Sequence, residues 1–329
     1  MTNTAANKAA PPPGIYVPVP TFFASKHSPV YNNALRPPLD LETQLAHSLH
    51  LAKAGIKGLV LLGSTGEAVH LTRTERSELI SAVKNGLANN GFEEYPLIAG
   101  SASNSIDETV GMLIEAKESG AGWGMVLVPS YFAAFVTQQG IIDWYTTVAD
   151  MSPIPIMIYY YPGVSNNVMV TPETITTLAE HPNIVGAKFS HGNISHHTIV
   201  AQHPTVKQTG FATFTGLGQQ LLPVLAVGCL GAIDGLAAFF PKSVVYIFNL
   251  VEEGKWGKAR EVQTFVSSAE ELIVKFGTVG IKEAVSRILG FGDNDGCRAP
   301  LHGGFPEGDK EWEKWSTIMS PLVKLEASL

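Results

Sequence analysis

The chain has 329 residues, 45% of them hydrophobic and 16% charged, so it can bury a large core and does not have the composition of a disordered segment. Its formal net charge of −7 and the absence of a basic cluster exclude a nucleic-acid partner, because phosphate binding needs a basic surface. No apolar run reaches the ~20 residues of a membrane span, and the two cysteines, Cys229 and Cys297, make no disulfide framework and are expected as reduced, partly buried thiols.

The first 39 residues hold no Asp or Glu, only Lys8, Lys26 and Arg36 as strong bases, and a run of prolines at Pro11 to Pro13. No amphipathic arginine-rich helix can be drawn there, so residues 1–13 are expected as a disordered tail. A cytoplasmic location is expected, with a mitochondrial one as the alternative.

Eight apolar runs follow in chain order: Gly14–Pro20, Gly58–Gly63, Pro96–Ser101, Gly124–Pro129, Ile154–Pro162, Ile184–Ser190, Phe211–Gly216 and Gly231–Ala237. Most are apolar throughout rather than alternating, as strands covered on both faces should be. Helical signals lie between them. Leu41, Leu45, Leu49 and Ala52 recur at helical spacing before Gly55. Thr72 and Glu75 form a capping box that opens a run to Leu87. Asn104 is an N-cap candidate for a helix that stops at Gly120, and Thr171-Pro172-Glu173 opens another. Gly218–Val227 and Pro241–Glu253 supply the last connections. The count predicts an α/β protein, a TIM (β/α)8 barrel over 14–254. Lys255–Phe276, Val279–Leu289 and Asp309–Leu325 then read as helices of an appended C-terminal bundle, 255–329.

In such a barrel the reacting groups stand at the C-terminal ends of strands. The sixth strand places Lys188 in Val185-Gly186-Ala187-Lys188-Phe189-Ser190. A lysine in an apolar wall is costly unless paired or neutral; it is either a stem that snorkels to a partner or an amine made nucleophilic by desolvation. The fifth strand carries Tyr159, Tyr160 and Tyr161. Alternation sends Tyr159 and Tyr161 to one side, where a phenol either packs or moves protons beside the lysine. The second strand ends in Gly63-Ser64-Thr65-Gly66-Glu67, hydroxyls and free N–H groups suited to a carboxylate; without GxxxxGK[ST] it is no nucleotide loop. Tyr131 follows the fourth strand, and the eighth carries Asp234 near the rim, catalytic or a hydrogen-bonded structural carboxylate. His196 and His197 are adjacent without the spacing of a zinc pair, so no metal is expected.

Gly63-Ser64-Thr65-Gly66-Glu67, Tyr159-x-x-Pro162 and Gly186-Ala187-Lys188 occur in that order on strands two, five and six. From about Gly14 to Leu301 the chain resembles the dihydrodipicolinate synthase/N-acetylneuraminate lyase superfamily of class I aldolases. Segments such as His181-Pro182-Asn183-Ile184 and Cys297-Arg298-Ala299-Pro300-Leu301 are most similar to its 4-hydroxy-2-oxoglutarate aldolase and fungal 2-keto-3-deoxy-sugar-acid aldolase branch. The resemblance implies a covalent imine on Lys188 and no other cofactor. It makes Tyr159 the proton shuttle, and Ser64 and Thr65 the holders of the pyruvate carboxylate, with Thr65 also relaying protons. Tyr131 is implied to reach across a dimer interface into a neighbouring site. Ile233 and Gly216 are implied to line the pyruvate pocket, Ser190 to contact the distal part of the substrate, and the assembly to be a homotetramer, a dimer of dimers. Val164 stands where synthases of the lysine pathway carry a substrate-binding arginine, which argues against their reaction. The expected activity is reversible cleavage of a 2-oxo-4-hydroxy acid, either a 2-keto-3-deoxy sugar acid or 4-hydroxy-2-oxoglutarate, to pyruvate and an aldehyde. Dehydration, decarboxylation or a synthase-type condensation on the same fold remain alternatives, as does an inactive barrel kept as a binding protein.

Overall fold

A strand whose side chains are apolar on both faces needs cover on both, and a closed parallel barrel inside a ring of helices supplies it. The computed structural model, which describes residues 9–31 and 35–329, has this architecture. Its strands are β1 (Gly14–Pro18), β2 (Gly58–Leu61), β3 (Leu97–Ser101), β4 (Trp123–Leu127), β5 (Ile156–Tyr160), β6 (Ile184–Phe189), β7 (Ala212–Thr215) and β8 (Gly231–Ile233). They pair in sequence order, all parallel, and β8 closes on β1 with Gly14 opposite Gly231.

Between the strands run α1 (Leu41–Lys53), α2 (Arg73–Ala88), α3 (Ile106–Glu118), α4 (Gln138–Met151), α5 (Pro172–Leu178), α6 (Ile194–Gln202), α7 (Pro204–Thr209) and α8 (Leu221–Ala226). After β8 follow α9 (Pro241–Glu252), α10 (Trp256–Ala284) and α11 (Asp309–Ser328). The Thr72–Glu75 capping box is formed in both directions at the start of α2, and Thr171 caps α5 ahead of Pro172. Asn104 does not cap α3. Ser105 does so, while the Asn104 amide oxygen accepts from the backbone N–H groups of Ser130 and Tyr131 at 2.6 and 2.9 Å. A short polar side chain one residue before the cap is thereby free to fasten the neighbouring loop.

Strand alternation divides the core in two. Tyr16, Val60, Ile98, Met125, Met157, Tyr159, Val185, Phe214 and Ile233 pack together inside the barrel. Tyr160, Ala187, Phe189 and their counterparts face the helices in a larger outer core. Residues 9–13, expected within a disordered tail, lie against the closed end: Trp123 donates to the Ala9 carbonyl at 2.9 Å and Tyr16 to the Pro12 carbonyl at 2.8 Å. Residues 1–8 of that tail lie outside the described part. No helix among the described residues is long and apolar enough to cross a membrane.

The sequence pattern divides the first appended helix after Phe276, and the chain turns there. Gly277 has φ 54° and ψ −132°, non-helical values inside α10, in a region that glycine enters at little cost. This turn brings α10 across the mouth of the barrel. A buried network fixes it: Lys282 donates to Glu67 at 2.5 Å and to the Gly296 carbonyl at 2.9 Å, while the Arg298 backbone donates to Glu67 at 2.9 Å. The Arg298 guanidinium in turn holds Glu75 and the Pro37 carbonyl. That pairing draws the Glu75 carboxyl down to about 2, with the Arg298 hydrogen bond as the largest cause.

Candidate active site

The C-terminal ends of the strands and the underside of α10 enclose a cavity of about 700 Å³. Ser64, Thr65, Tyr159, Lys188, Ser190 and Gly216 all line it, together with Tyr161, His191, Gln219, Glu270 and a stretch of α10 around Gly277. Six of the eight residues singled out from the sequence are thus brought together. Ile233 lies in the inner core, fully buried, and is not among the lining residues. Tyr131 is 75% exposed, outside the cavity.

Each side chain is placed by its strand. Register pairs Tyr159 on β5 with Lys188 on β6, so both point the same way from neighbouring strands. The Lys188 amine stands 4.5 Å above the centre of the Tyr159 ring. Only 4% of the lysine is exposed. Burial takes its pKa down to about 7, against the opposing pull of the Asp234 carboxyl. An ordinary lysine is protonated at neutral pH; this one holds a substantial fraction of free amine, the form that attacks a carbonyl carbon.

The Tyr159 hydroxyl lies 3.0 Å from the hydroxyl of Ser64, in the loop after β2. Burial raises the phenol above its ordinary value, and hydrogen bonds only partly offset this. It therefore keeps its proton at neutral pH and can lend it. The loop after β2 is a tight fold: Leu62 and Glu67 bracket it with φ of 60° and 51°, left-handed values that side chains adopt only where the surroundings enforce them. Glu67 is enforced by the Lys282 and Arg298 network, and Thr278 of α10 donates to the Ser64 carbonyl at 3.2 Å. Tyr161 shares the inner side with Tyr159, their rings 6.0 Å apart. Tyr160 faces outward, as alternation requires.

Gly216, just after β7, lies beside Lys188 of β6 and Ser190, which follows that strand. A Cβ there would run into the Ser190 hydroxyl and stand 2.7 Å from Lys188 Cε. A Gly216→Ala variant should fold yet push the amine aside. Misplacement by about 1 Å costs on the order of 10²-fold in rate, so kcat/KM should fall by about that factor. The check is steady-state kinetics alongside circular dichroism; an unimpaired variant would contradict this placement.

Two groups went unnoticed in the sequence. Glu270 and Gln219 both line the cavity, and Gln219 follows β7 in a short 3-10 turn. The buried positions of α10 include Val262, Val266, Ala269 and Glu270. A carboxylate on that apolar stripe was the available signal. The rings of His197 and His196 pack against His191, their centres 4.9 and 5.4 Å from it. Among the described residues no three His, Cys, Asp or Glu side chains are grouped to hold a metal ion. Both cysteines are free and buried, their thiols raised to about 11 and about 12 by burial.

Known proteins resemble this chain over most of its length. The model of the dihydrodipicolinate synthetase family matches residues 39–315. A protein of Emericella nidulans named "Probable 4-hydroxy-2-oxoglutarate aldolase, mitochondrial" is 36% identical over 291 residues, 88% of this chain and 90% of that one. An L-threo-3-deoxy-hexylosonate aldolase of Aspergillus niger is 35% identical over 301 residues, 85% and 87% of the two chains. Among solved structures, a dihydrodipicolinate synthase family protein from Coccidioides immitis superposes with a TM-score of 0.83 at 29% identity, covering 98% and 99% of the chains. A family member from Escherichia coli K12, solved in complex with pyruvate, gives 0.81 at 25% identity over 94% and 98%.

Proposed function

The chain belongs to the dihydrodipicolinate synthetase family and is a lyase of the aldolase type, and from that premise we propose that it cleaves a 2-keto-3-deoxy sugar acid to pyruvate and an aldehyde through an imine on Lys188. The observation that carries the reading is the buried Lys188 amine, near neutrality, above the Tyr159 ring in the cavity that also holds Ser64 and Thr65. Ser64 and Thr65 take the carboxylate of the 2-oxo acid, and the amine attacks its C2 carbonyl. Loss of water leaves a protonated imine, an electron sink that accepts the electron pair released when the C3–C4 bond breaks. Tyr159 gives its proton to the hydroxyl that departs as that water, and the phenolate so formed removes the C4-hydroxyl proton as the C3–C4 bond breaks; in the synthetic direction the phenol returns it. The sink is organic and covalent, so the cycle as proposed calls for no other cofactor.

The distal part of the cavity supports a polyhydroxy tail over a second carboxylate. Among the described lining residues Lys188 is the only lysine or arginine, and it is committed to C2. Val164, at the rim, offers no charge, whereas Ser190, His191 and Gln219 offer hydrogen bonds and Glu270 a carboxyl. A site that pairs hydroxyls and lacks a cationic clamp discriminates against a dicarboxylate. Pyruvate release measured over a panel of 2-keto-3-deoxy aldonates and 4-hydroxy-2-oxoglutarate tests this. The sugar acids should give a kcat/KM at least about tenfold higher; a preference for the dicarboxylate would refute the tail assignment.

We also place Tyr131 at an interface with a second copy, in a homotetramer. The support is the exposure of Tyr131, Phe132 and Phe135 together on the loop after β4, 75%, 68% and 83%, an aromatic patch that a lone chain would leave in water. A cytoplasmic location, or a mitochondrial one as in the name of the Emericella nidulans relative, completes the reading.

A further inference from the structure

Lys188 has two different flanks. Toward β5 stand the neutral hydroxyls of Tyr159 and Ser64. On the other side, beyond β7, two carboxyl groups are buried with no cation of their own. Asp234, immediately after β8, is fully buried, and Glu270 of α10 is 2% exposed. They converge across the loop that leaves β7: a Cβ on Gly218 would run into Glu270 Oε1 and stand 2.8 Å from Asp234 Oδ1. These same two oxygens have no hydrogen-bond partner, whereas Asp234 Oδ2 accepts from the Ala237 N–H at 3.2 Å. Two ionised carboxylates cannot satisfy each other. A single proton between them satisfies both oxygens and removes one of two like charges from a buried site.

We propose that Asp234 and Glu270 share one proton and carry one negative charge between them, and that this charge is the counter-ion of the cationic imine on Lys188, making the pair a positioning element of the site. The charged and titratable groups that face the pair are Lys188 of β6 and, on α10, Glu271; the other titratable groups that line the cavity are Tyr159, Tyr161, His191, His70 and Glu67. Lys188 is a cation that acts on Asp234. Burial, and for Glu270 also the neighbouring Asp234, raises both carboxyls above their ordinary values, in accord with a retained proton. The glycines at 216 and 218 keep the space between amine and carboxyls clear of side chains. The role in catalysis rests on the imine proposed above; the charge coupling to Lys188 does not.

The test titrates Lys188 directly, in substrate-free protein, by competitive acetylation across pH with mass spectrometry of the Lys188 peptide. In an Asp234→Asn/Glu270→Gln double variant the Lys188 midpoint should fall by about one pH unit or more. Each single variant should shift it less, because the remaining carboxylate accepts from the introduced amide and keeps the charge in place. A double variant with an unmoved midpoint overturns the coupling, and so do singles that each shift as far as the double. Infrared spectra of the wild-type protein at neutral pH should show a protonated-carboxyl C=O band that Glu270→Gln removes. No such band overturns the shared proton, whether or not the double variant folds. In the presence of pyruvate, cyanoborohydride trapping of the protonated imine should be about tenfold slower in the double variant; an undiminished rate overturns the counter-ion role. Failure of the wild-type protein to form any adduct would instead count against the aldolase mechanism, while the acetylation curves still decide the coupling.

Discussion

A Lys188→Met variant is expected to lose activity by about 10⁵-fold or more, because the covalent electron sink supplies most of the acceleration in a reaction of this kind. It should also lose the pyruvyl adduct that borohydride fixes on the Lys188 peptide of the wild-type protein. Its stability should change little, because the desolvation cost removed with the amine is offset by the Asp234/Glu270 charge that loses its cation. Methionine follows much the same path as the lysine stem, and removing a buried amine removes a desolvation cost of about 1–3 kcal/mol. Loss of activity with a nearly unchanged Tm separates a chemical role from a packing one. The wild-type pH profile carries the same information. Only the free amine attacks, and burial sets its pKa near 7. Below about pH 7 the amine is protonated in the free enzyme, and kcat/KM should fall about tenfold per unit; above it, kcat/KM should level off. An ordinary lysine would put that limb several units higher. A trapped adduct on another peptide, or a limb near 10, would remove Lys188 from the mechanism.

The eight strands were legible because a parallel barrel buries both faces, so each strand is a short apolar run with no alternation to interpret. The apolar runs overshoot the strand ends. β8 stops at Ile233, although the apolar run continues to Ala237. Asp234 and Gly235 turn the chain, and Leu236–Ala238 form a 3-10 turn. Apolar character reports burial, not extension. Helix α4 carries buried Ile141, Tyr145, Val148 and Ala149 at helical spacing. The sequence pattern does not delimit it, because Gly140 and a row of aromatic and β-branched residues give it weak intrinsic propensity and tertiary packing makes up the difference.

The cluster proposed as catalytic was legible for a different reason. Lys188, Tyr159, Ser64 and Thr65 sit at strand ends, where barrel topology forces polar side chains to converge, so position along the chain stood in for position in space. Glu270 has no such rule. It reaches the cavity because α10 crosses the mouth of the barrel and turns at Gly277, a docking set by Glu67, Lys282 and Arg298, which lie far apart in sequence. Asp234 looked like an isolated rim carboxylate until α10 supplied its neighbour. Ile233 illustrates the limit of carrying positions over by resemblance: it lies one residue before the cavity-side turn, in the layer beneath.

Tyr159→Phe isolates one atom of the site. The ring remains, so the surface 4.5 Å below the Lys188 amine is preserved and the desolvation that frees the amine is kept. What disappears is the hydroxyl 3.0 Å from Ser64. A general acid–base group contributes about 10²–10⁴-fold, so kcat should fall within that range. KM should change by less than about threefold, because Ser64 and Thr65 still hold the carboxylate. Borohydride should still trap the pyruvyl adduct on long incubation, since the nucleophile is intact. Ser64→Ala should behave differently. It leaves a buried phenol without its partner, at a cost of about 1–3 kcal/mol, and removes a carboxylate ligand, so KM should rise along with the fall in kcat. In the double variant the two losses should be less than additive, because the serine supports catalysis through the same hydroxyl. If Tyr159→Phe kept its kcat, the proton would have to move through another group, and Thr65, lining the same cavity at the end of β2, would be the next to replace.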